Sequence, residues 1–371
     1  MADVSILAWR ADVLERSLPS MKAAFQSPSL FACCQQKDLQ KVREMGIFAF
    51  SAQGANDFFR CEQNGTELTI GHKRNLMQLS SLALGSSPLV FLDDDVQPEA
   101  DCESKFSSAF SKYSLVQGAF TGCIGNGLYI PVYFFDHLLE HSKDANFAAV
   151  SDSMLRGVVR AHFAPASLRG ITGGIFGVSA ALKCRQAFFP TKYQFDDHFF
   201  EFCCRHNFPS LKFMDGSTSP AEIPVAEHST VPSPSTSKLV DHYILYVKSA
   251  IVESHSYFRL CGRIPMLING RHTLVKLGRF DAQEECSRIC AEAALDKFRA
   301  AAEHHLQAGF GEPIDSQLHR FVSLGEKDLF VPQEELEAEW ENFKMEMEWI
   351  KEALAFVSEN PKKAYDVLFR T

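Results

Sequence analysis

Pro88-Leu89-Val90-Phe91-Leu92-Asp93-Asp94-Asp95 is an apolar run that ends in three consecutive carboxylates. Leu89 to Leu92 do not alternate with polar residues, the pattern of a strand buried on both faces in a parallel sheet covered by helices. Ligands of such sheets bind beyond the carboxyl ends of the strands, so the run delivers its carboxylates where function is expected. Side chains alternate across a strand, and continuing that alternation puts Asp93 and Asp95 on one side with Asp94 pointing away. Two hard oxygen ligands on one side suit Mg²⁺ or Mn²⁺, which takes one or two protein carboxylates and completes its shell with water and substrate phosphate. A solvated acidic turn at a strand end is the alternative reading of the same residues.

Outward from this run, strand-like and helix-like segments alternate through the first two thirds of the chain, as in an α/β domain. Strands are predicted at residues 4–8, 30–34, 46–51, 115–120, 174–178 and 211–214, with helices at 14–25, 74–84 and 180–187. Residues 229–237, STVPSPSTS, form the clearest break, because Ser, Thr and Pro resist both helix and sheet. The division that follows is an α/β domain over 1–235 and a helical C-terminal region over 236–371, with helices at 239–260, 282–308 and 333–358. In the last helix Leu336, Trp340, Phe343, Met347, Ile350, Leu354 and Val357 recur at alternating spacings of four and three, an apolar seam on one face. That seam predicts packing on the chain's own domain, with a homodimer through it as the alternative.

A net charge of −9 argues against non-specific nucleic-acid binding, which depends on cationic contacts to phosphate. The 32 phenylalanines are spread along the chain and predict core rather than a stacking surface. Among the eleven cysteines no CxxC pair occurs, and the Cys33-Cys34 and Cys203-Cys204 neighbours sit in apolar stretches where free cysteine behaves as a small hydrophobe. The expectation is a reducing, cytoplasmic setting. Neither a secretory leader nor an apolar stretch of about 20 residues is read in the sequence, so no membrane span is expected.

Four further elements line up with the acidic run. Gly71-His72-Lys73-Arg74-Asn75 precedes the helix that leads into it, and Lys73 and Arg74 could meet phosphate or base edges. Arg169-Gly170-Ile171-Thr172-Gly173-Gly174 leads into a strand, and its paired glycines allow backbone to approach a ligand closely. Asp196 and Asp197 lie between Phe195 and Phe199, and apolar flanks around a carboxylate pair favour a raised pKa and general-base behaviour; a helix N-terminus stabilised by the two acids is the alternative. Glu227-His228-Ser229 follows another predicted strand, where a histidine is structural unless carboxylates meet it in space.

Read in this order, these motifs resemble those of GT-A fold glycosyltransferases, particularly family 2, over residues 4–230. The resemblance implies a GT-A type nucleotide-binding α/β/α sandwich with a mostly parallel mixed sheet. It implies transfer of a sugar, of the hexosyltransferase class, from a UDP- or GDP-linked nucleotide-sugar donor. By resemblance Asp93 and Asp95 are the DxD pair, with Asp95 the direct ligand of Mn²⁺ or Mg²⁺ and His228 completing metal or diphosphate binding. Lys73, Arg74, Asn75, Asp93, Asp94, Gly173 and Gly174 fall on the donor side. Asp197 matches the catalytic base and Asp196 the acid before it. Two departures stand out. An aspartate pair replaces the commoner Glu-Asp, and the acidic residue usual after the second strand is absent from Leu-Phe-Ala-Cys-Cys-Gln-Gln, residues 30–36.

The acceptor is left open among glycan, lipid-linked sugar, small molecule and protein. A sugar-phosphate nucleotidyltransferase would carry a Gly-rich basic signature near the first strand, which Ala8-Trp9-Arg10-Ala11-Asp12 lacks. A catalytically silent nucleotide-sugar-binding or scaffold protein is the other alternative.

Overall fold

The computed structural model describes residues 2–26, 30–59, 69–85, 87–122, 174–185, 189, 196–214, 218–228, 239–261, 263–268, 271–276, 295, 299, 302–303, 306–307, 309, 312 and 314–370. Its strands are β1 (Asp3–Ala8), β2 (Leu30–Cys34), β3 (Phe48–Ser51), β4 (Leu89–Asp93), β5 (Val96–Pro98), β6 (Leu115–Gln117), β7 (Ala119–Gly122), β8 (Ile175–Val178) and β9 (Val225–His228), followed by β10 (Arg263–Ile268) and β11 (Arg271–Lys276). The main sheet has the order β3-β2-β1-β4-β8-β6. Its first four strands are mutually parallel, and β8 runs antiparallel to both β4 and β6. The chain lays β1, β2 and β3 outward in one direction, then returns to set β4 on the other side of β1. A topological switch point therefore lies between β1 and β4, where open α/β sheets hold their ligands.

Leu89–Asp93 forms the central strand that its apolar run predicts. Alternate residues of β4 feed two cores: Leu89 and Phe91 enter one, Val90 and Leu92 the other. The first core is closed by the helix Ile70–Leu84 and by two C-terminal helices, Gln333–Glu359 and Pro361–Arg370. The second is closed by the helices Ala11–Ala24 and Cys102–Phe110. The architecture is an α/β/α sandwich with a mostly parallel mixed sheet and additional C-terminal helices, as expected.

A second, three-stranded sheet has the order β5-β9-β7. The predicted strand 115–120 is divided between the two sheets at Gly118, where a Cβ would come within 2.6 Å of both the Cγ2 and the carbonyl oxygen of Ile175. Only glycine lets the chain pass β8 this closely. The predicted strand 211–214 is reduced to a single bridge between Leu115 and Phe213.

The apolar seam of the helix Gln333–Glu359 is covered inside the chain. Leu336, Trp340, Phe343, Ile350, Leu354 and Val357 are buried, and Phe343 meets Phe199 edge-on with centroids 5.3 Å apart. The seam is thus packed on the chain's own domain, as its spacing predicts. The C-terminal region is also not purely helical, since β10 and β11 form an antiparallel hairpin. Asn269-Gly270 between them is a hairpin sequence. The predicted helix 282–308 lies largely outside the described residues. Among those described, no helix is long and apolar enough to cross a membrane.

Candidate donor site at the sheet switch point

β1 ends at Ala8 and β4 at Asp93, paired side by side with Leu7 opposite Asp93. The residues that follow each strand therefore meet across the switch point. Arg10, just after β1, sends Nη2 to 2.5 Å from Asp94 Oδ1 and 2.6 Å from Asp95 Oδ2. Its backbone N–H donates to Asp94 Oδ2 at 2.7 Å, and Ser17 Oγ donates to the Asp94 carbonyl at 2.5 Å. Burial pulls the Arg10 guanidinium pKa down, but the bonds and charges of Asp94 and Asp95 outweigh that and hold it above its ordinary value. Burial also pushes the more enclosed Asp94 carboxyl up, and Arg10 only partly opposes it.

This geometry revises the arrangement read from alternation. The strand stops at Asp93 and the chain turns at Asp94 and Asp95, so strand parity ends with Asp93. Asp93 keeps the parity of Leu89 and Phe91 and faces the helix Ile70–Leu84, with its Oδ1 3.8 Å from Arg74 Nη2. Asp94 and Asp95 turn together toward Arg10 rather than to opposite sides.

The helix Ile70–Leu84 starts at Thr69, whose Oγ1 accepts from the His72 N–H at 3.3 Å. That cap brings Lys73, Arg74 and Asn75 to the switch point, all buried. Lys73 Nζ lies over the Trp9 ring, 3.0 Å from its centroid, and the Arg74 guanidinium lies 5.6 Å from the ring centroids of both Phe176 and Phe189. Arg74 thus lies beside Asp93 and Lys73 over the ring that follows β1, and burial in a low-dielectric setting strengthens both charges. Asn75 holds the chain: Nδ2 donates to the Phe189 carbonyl at 2.8 Å and Oδ1 accepts from the Phe189 N–H at 2.7 Å. Phe189 stacks on Phe200 at 3.9 Å, which ties the helix Asp196–Asn207 to the same place. Asp197 is partly exposed at the start of that helix.

Two further motif residues approach by backbone. The Gly174 carbonyl accepts from the Asp93 N–H at 3.1 Å, and His228 in β9 is registered opposite Val96, the residue after Asp95. Gly173 lies outside the described residues, and Asp196 and His228 are described by backbone alone. Residues 169–172 of the glycine-rich motif are likewise outside them. Sequence reading missed Arg10 and Trp9, which directly follow the fully buried first strand. Gln35 Nε2 donates to the Trp9 carbonyl at 3.1 Å, at the end of β2.

Among the described residues no group of three or more His, Cys, Asp or Glu side chains could hold a metal ion. Hard ions that keep waters and substrate phosphates need only one or two carboxylates. Asp93, whose side chain is 31% exposed at the open end of β4, and Asp95 beside it fit that requirement.

No family model matches the chain, and no curated protein matches it. Solved structures do. The mannosyltransferase PcManGT from Pyrobaculum calidifontis, in complex with GDP-Man and Mn²⁺, aligns over 96% of this chain and 86% of its own at 12% identity, with a TM-score of 0.42. Glucosyl-3-phosphoglycerate synthase from Mycobacterium tuberculosis, in complex with Mn²⁺, UDP and phosphoglyceric acid, aligns over 75% of this chain and 86% of its own at 12% identity, with a TM-score of 0.40. S. aureus TarS 1–349 aligns over 93% and 92% at 13% identity, with a TM-score of 0.35.

Proposed function

We propose that this chain is a metal-dependent glycosyltransferase that moves a sugar from a UDP- or GDP-linked donor to an acceptor, with inversion at the anomeric carbon. The observation that supports it most is the meeting of the carboxylates Asp93 to Asp95 with Arg10 and Arg74 at one switch point, with Lys73 over the ring of the adjacent Trp9. Asp95 and Asp93, with His228, would hold Mn²⁺ or Mg²⁺, which when bound supplies Lewis-acid stabilisation of the departing nucleoside diphosphate. Lys73 and Arg74 add positive charge from beneath, fixed before the reaction begins. Gly173 and Gly174 line the approach of donor sugar to acceptor. Asp197, following Asp196, takes the proton of the acceptor hydroxyl as its oxygen bonds to the anomeric carbon. The bond to diphosphate breaks with its electron pair on the phosphate oxygen, and attack from the opposite side inverts the centre.

Acceptor choice we assign to residues 122–141, 151–168 and the helices after 236, because additions on a shared scaffold set specificity. The test is calorimetry with UDP and GDP, Mn²⁺ present or chelated, on wild type and Asp95→Asn. Metal-dependent binding that is lost in the variant is expected, and it names the nucleotide. Asp197→Asn should bind the donor normally and transfer it about 10²–10⁴-fold more slowly. A fully active Asp197→Asn would remove the base assignment, and no nucleotide binding under any condition would favour a silent scaffold.

A further inference from the structure

One guanidinium nitrogen of Arg10 lies between two carboxylates, 2.5 Å from Asp94 and 2.6 Å from Asp95. Asp94 is tied to the backbone as well. Asp94 also receives the Arg10 backbone N–H and gives its carbonyl to Ser17. It thereby fixes the start of the helix Ala11–Ala24, whose N-cap residue, Arg10, has no side-chain capping bond of its own. Asp95 meets this assembly through the guanidinium. Both carboxylates are buried while the Arg10 side chain is 43% exposed, so the guanidinium is the member of the cluster that can change partners.

We propose that Arg10 is a positioning residue that occupies the acidic turn as an internal cation and makes divalent-ion binding at Asp95 depend on the nucleotide diphosphate. The inference rests on the glycosyltransferase reading above. A divalent ion on Asp95 and a guanidinium on the same carboxylate repel each other across a few ångströms. A diphosphate offers acceptor oxygens that match the planar fork of arginine. Arg10 moves from carboxylate to phosphate as the ion arrives, so nucleotide and metal strengthen each other's binding by equal factors. Without nucleotide, Arg10 holds the turn against stray divalent ions.

The experiment follows free Mn²⁺ by electron paramagnetic resonance, with and without UDP or GDP, for wild type, Arg10→Gln, Arg10→Met and Arg10→Lys, each checked for a native circular dichroism spectrum. In Arg10→Gln and Arg10→Met the nucleotide-free affinity for Mn²⁺ should rise about tenfold, a change of about 1.4 kcal/mol. The enhancement by nucleotide should shrink by a similar factor, while Arg10→Lys stays near wild type. Unchanged or weaker nucleotide-free binding in the uncharged variants overturns the proposal. So does wild-type Mn²⁺ affinity that is the same with and without nucleotide, a result that needs no variant. Absence of Mn²⁺ binding by wild type with either nucleotide overturns the glycosyltransferase reading itself, and this inference with it.

Discussion

At the amino end of β1, Asp3 Oδ2 accepts from Ser81 Oγ at 2.8 Å and lies 3.6 Å from Lys183 Nζ; at the carboxyl end, Arg10 Nη2 meets Asp94 and Asp95 at 2.5 and 2.6 Å. Both ends join carboxylate to cation, yet their surroundings differ. Lys183 is fully enclosed and donates to Ser81 Oγ at 2.8 Å and to the carbonyls of Gly85 and Ser81 at 3.1 and 3.4 Å. It closes the C-terminus of the helix Ile70–Leu84, where a positive charge complements the helix dipole. Burial lowers the Lys183 pKa and Asp3 opposes that shift. Arg10 is half in water and can change partners. Exposure, rather than pairing, separates the structural clasp from the proposed ligand site.

Breaking the closed end should have the largest effect. Lys183→Met leaves the buried Asp3 without its cation, and a loss of about 3–5 kcal/mol is expected from urea unfolding. Nucleotide affinity of the remaining folded protein should not change. An equal loss in both readouts would erase the distinction between the ends.

Acid tests the buried groups next. Burial, with Lys73 adding to it, lowers the His72 pKa to about 4, and burial, partly opposed by Glu337, does the same to His255. Each ring stays neutral in the fold but gains a proton in the unfolded chain below its ordinary value near 6.5. Their contribution is therefore complete above about pH 6.5, is lost as pH falls toward 4, and amounts to about 2 kcal/mol per ring between pH 7 and pH 5. The ring nitrogens of His255 make no hydrogen bond, so His255→Phe should fold well and remove about half of this pH dependence. A slope unchanged in that variant would place the sensitivity elsewhere.

Asp95→Asn sharpens the comparison from the open side. Its stability should fall less than that of Lys183→Met, because the partner Arg10 reaches water, while nucleotide binding with Mn²⁺ falls at least about tenfold by calorimetry. The smallest effect expected is that of Thr69→Ala, which removes the cap before His72 and should cost about 1 kcal/mol in thermal unfolding. Because that cap aims Lys73 and Arg74, nucleotide affinity should weaken with it, unlike in Lys183→Met.

How far these features could be read beforehand depends on how local they are. The buried strand at 89–93, the helix leading to it and the seam of the last long helix follow from patterns within a few turns of chain. The division at Gly118 does not, because it depends on Ile175 lying where a Cβ would go. Arg10 is silent in the sequence for the same reason, since its partners lie 84 and 85 residues away. The hairpin of β10 and β11 was legible, through Asn269-Gly270, and was overlooked in a region read as helical. Asn75 looked like a ligand for a donor, and a single sequence gives no hint that both ends of its amide are taken by Phe189.

Phe369 stacks edge-on against Phe31 and Phe50, with centroids 5.8 and 5.7 Å apart. Synthesis delivers these partners more than three hundred residues apart. On the ribosome, one face of β2 and β3 must wait, apolar and unroofed, until the helix Pro361–Arg370 emerges. The chain roofs its first strands late, and a product stalled or clipped before this helix would present Phe31 and Phe50 to the cell's chaperones.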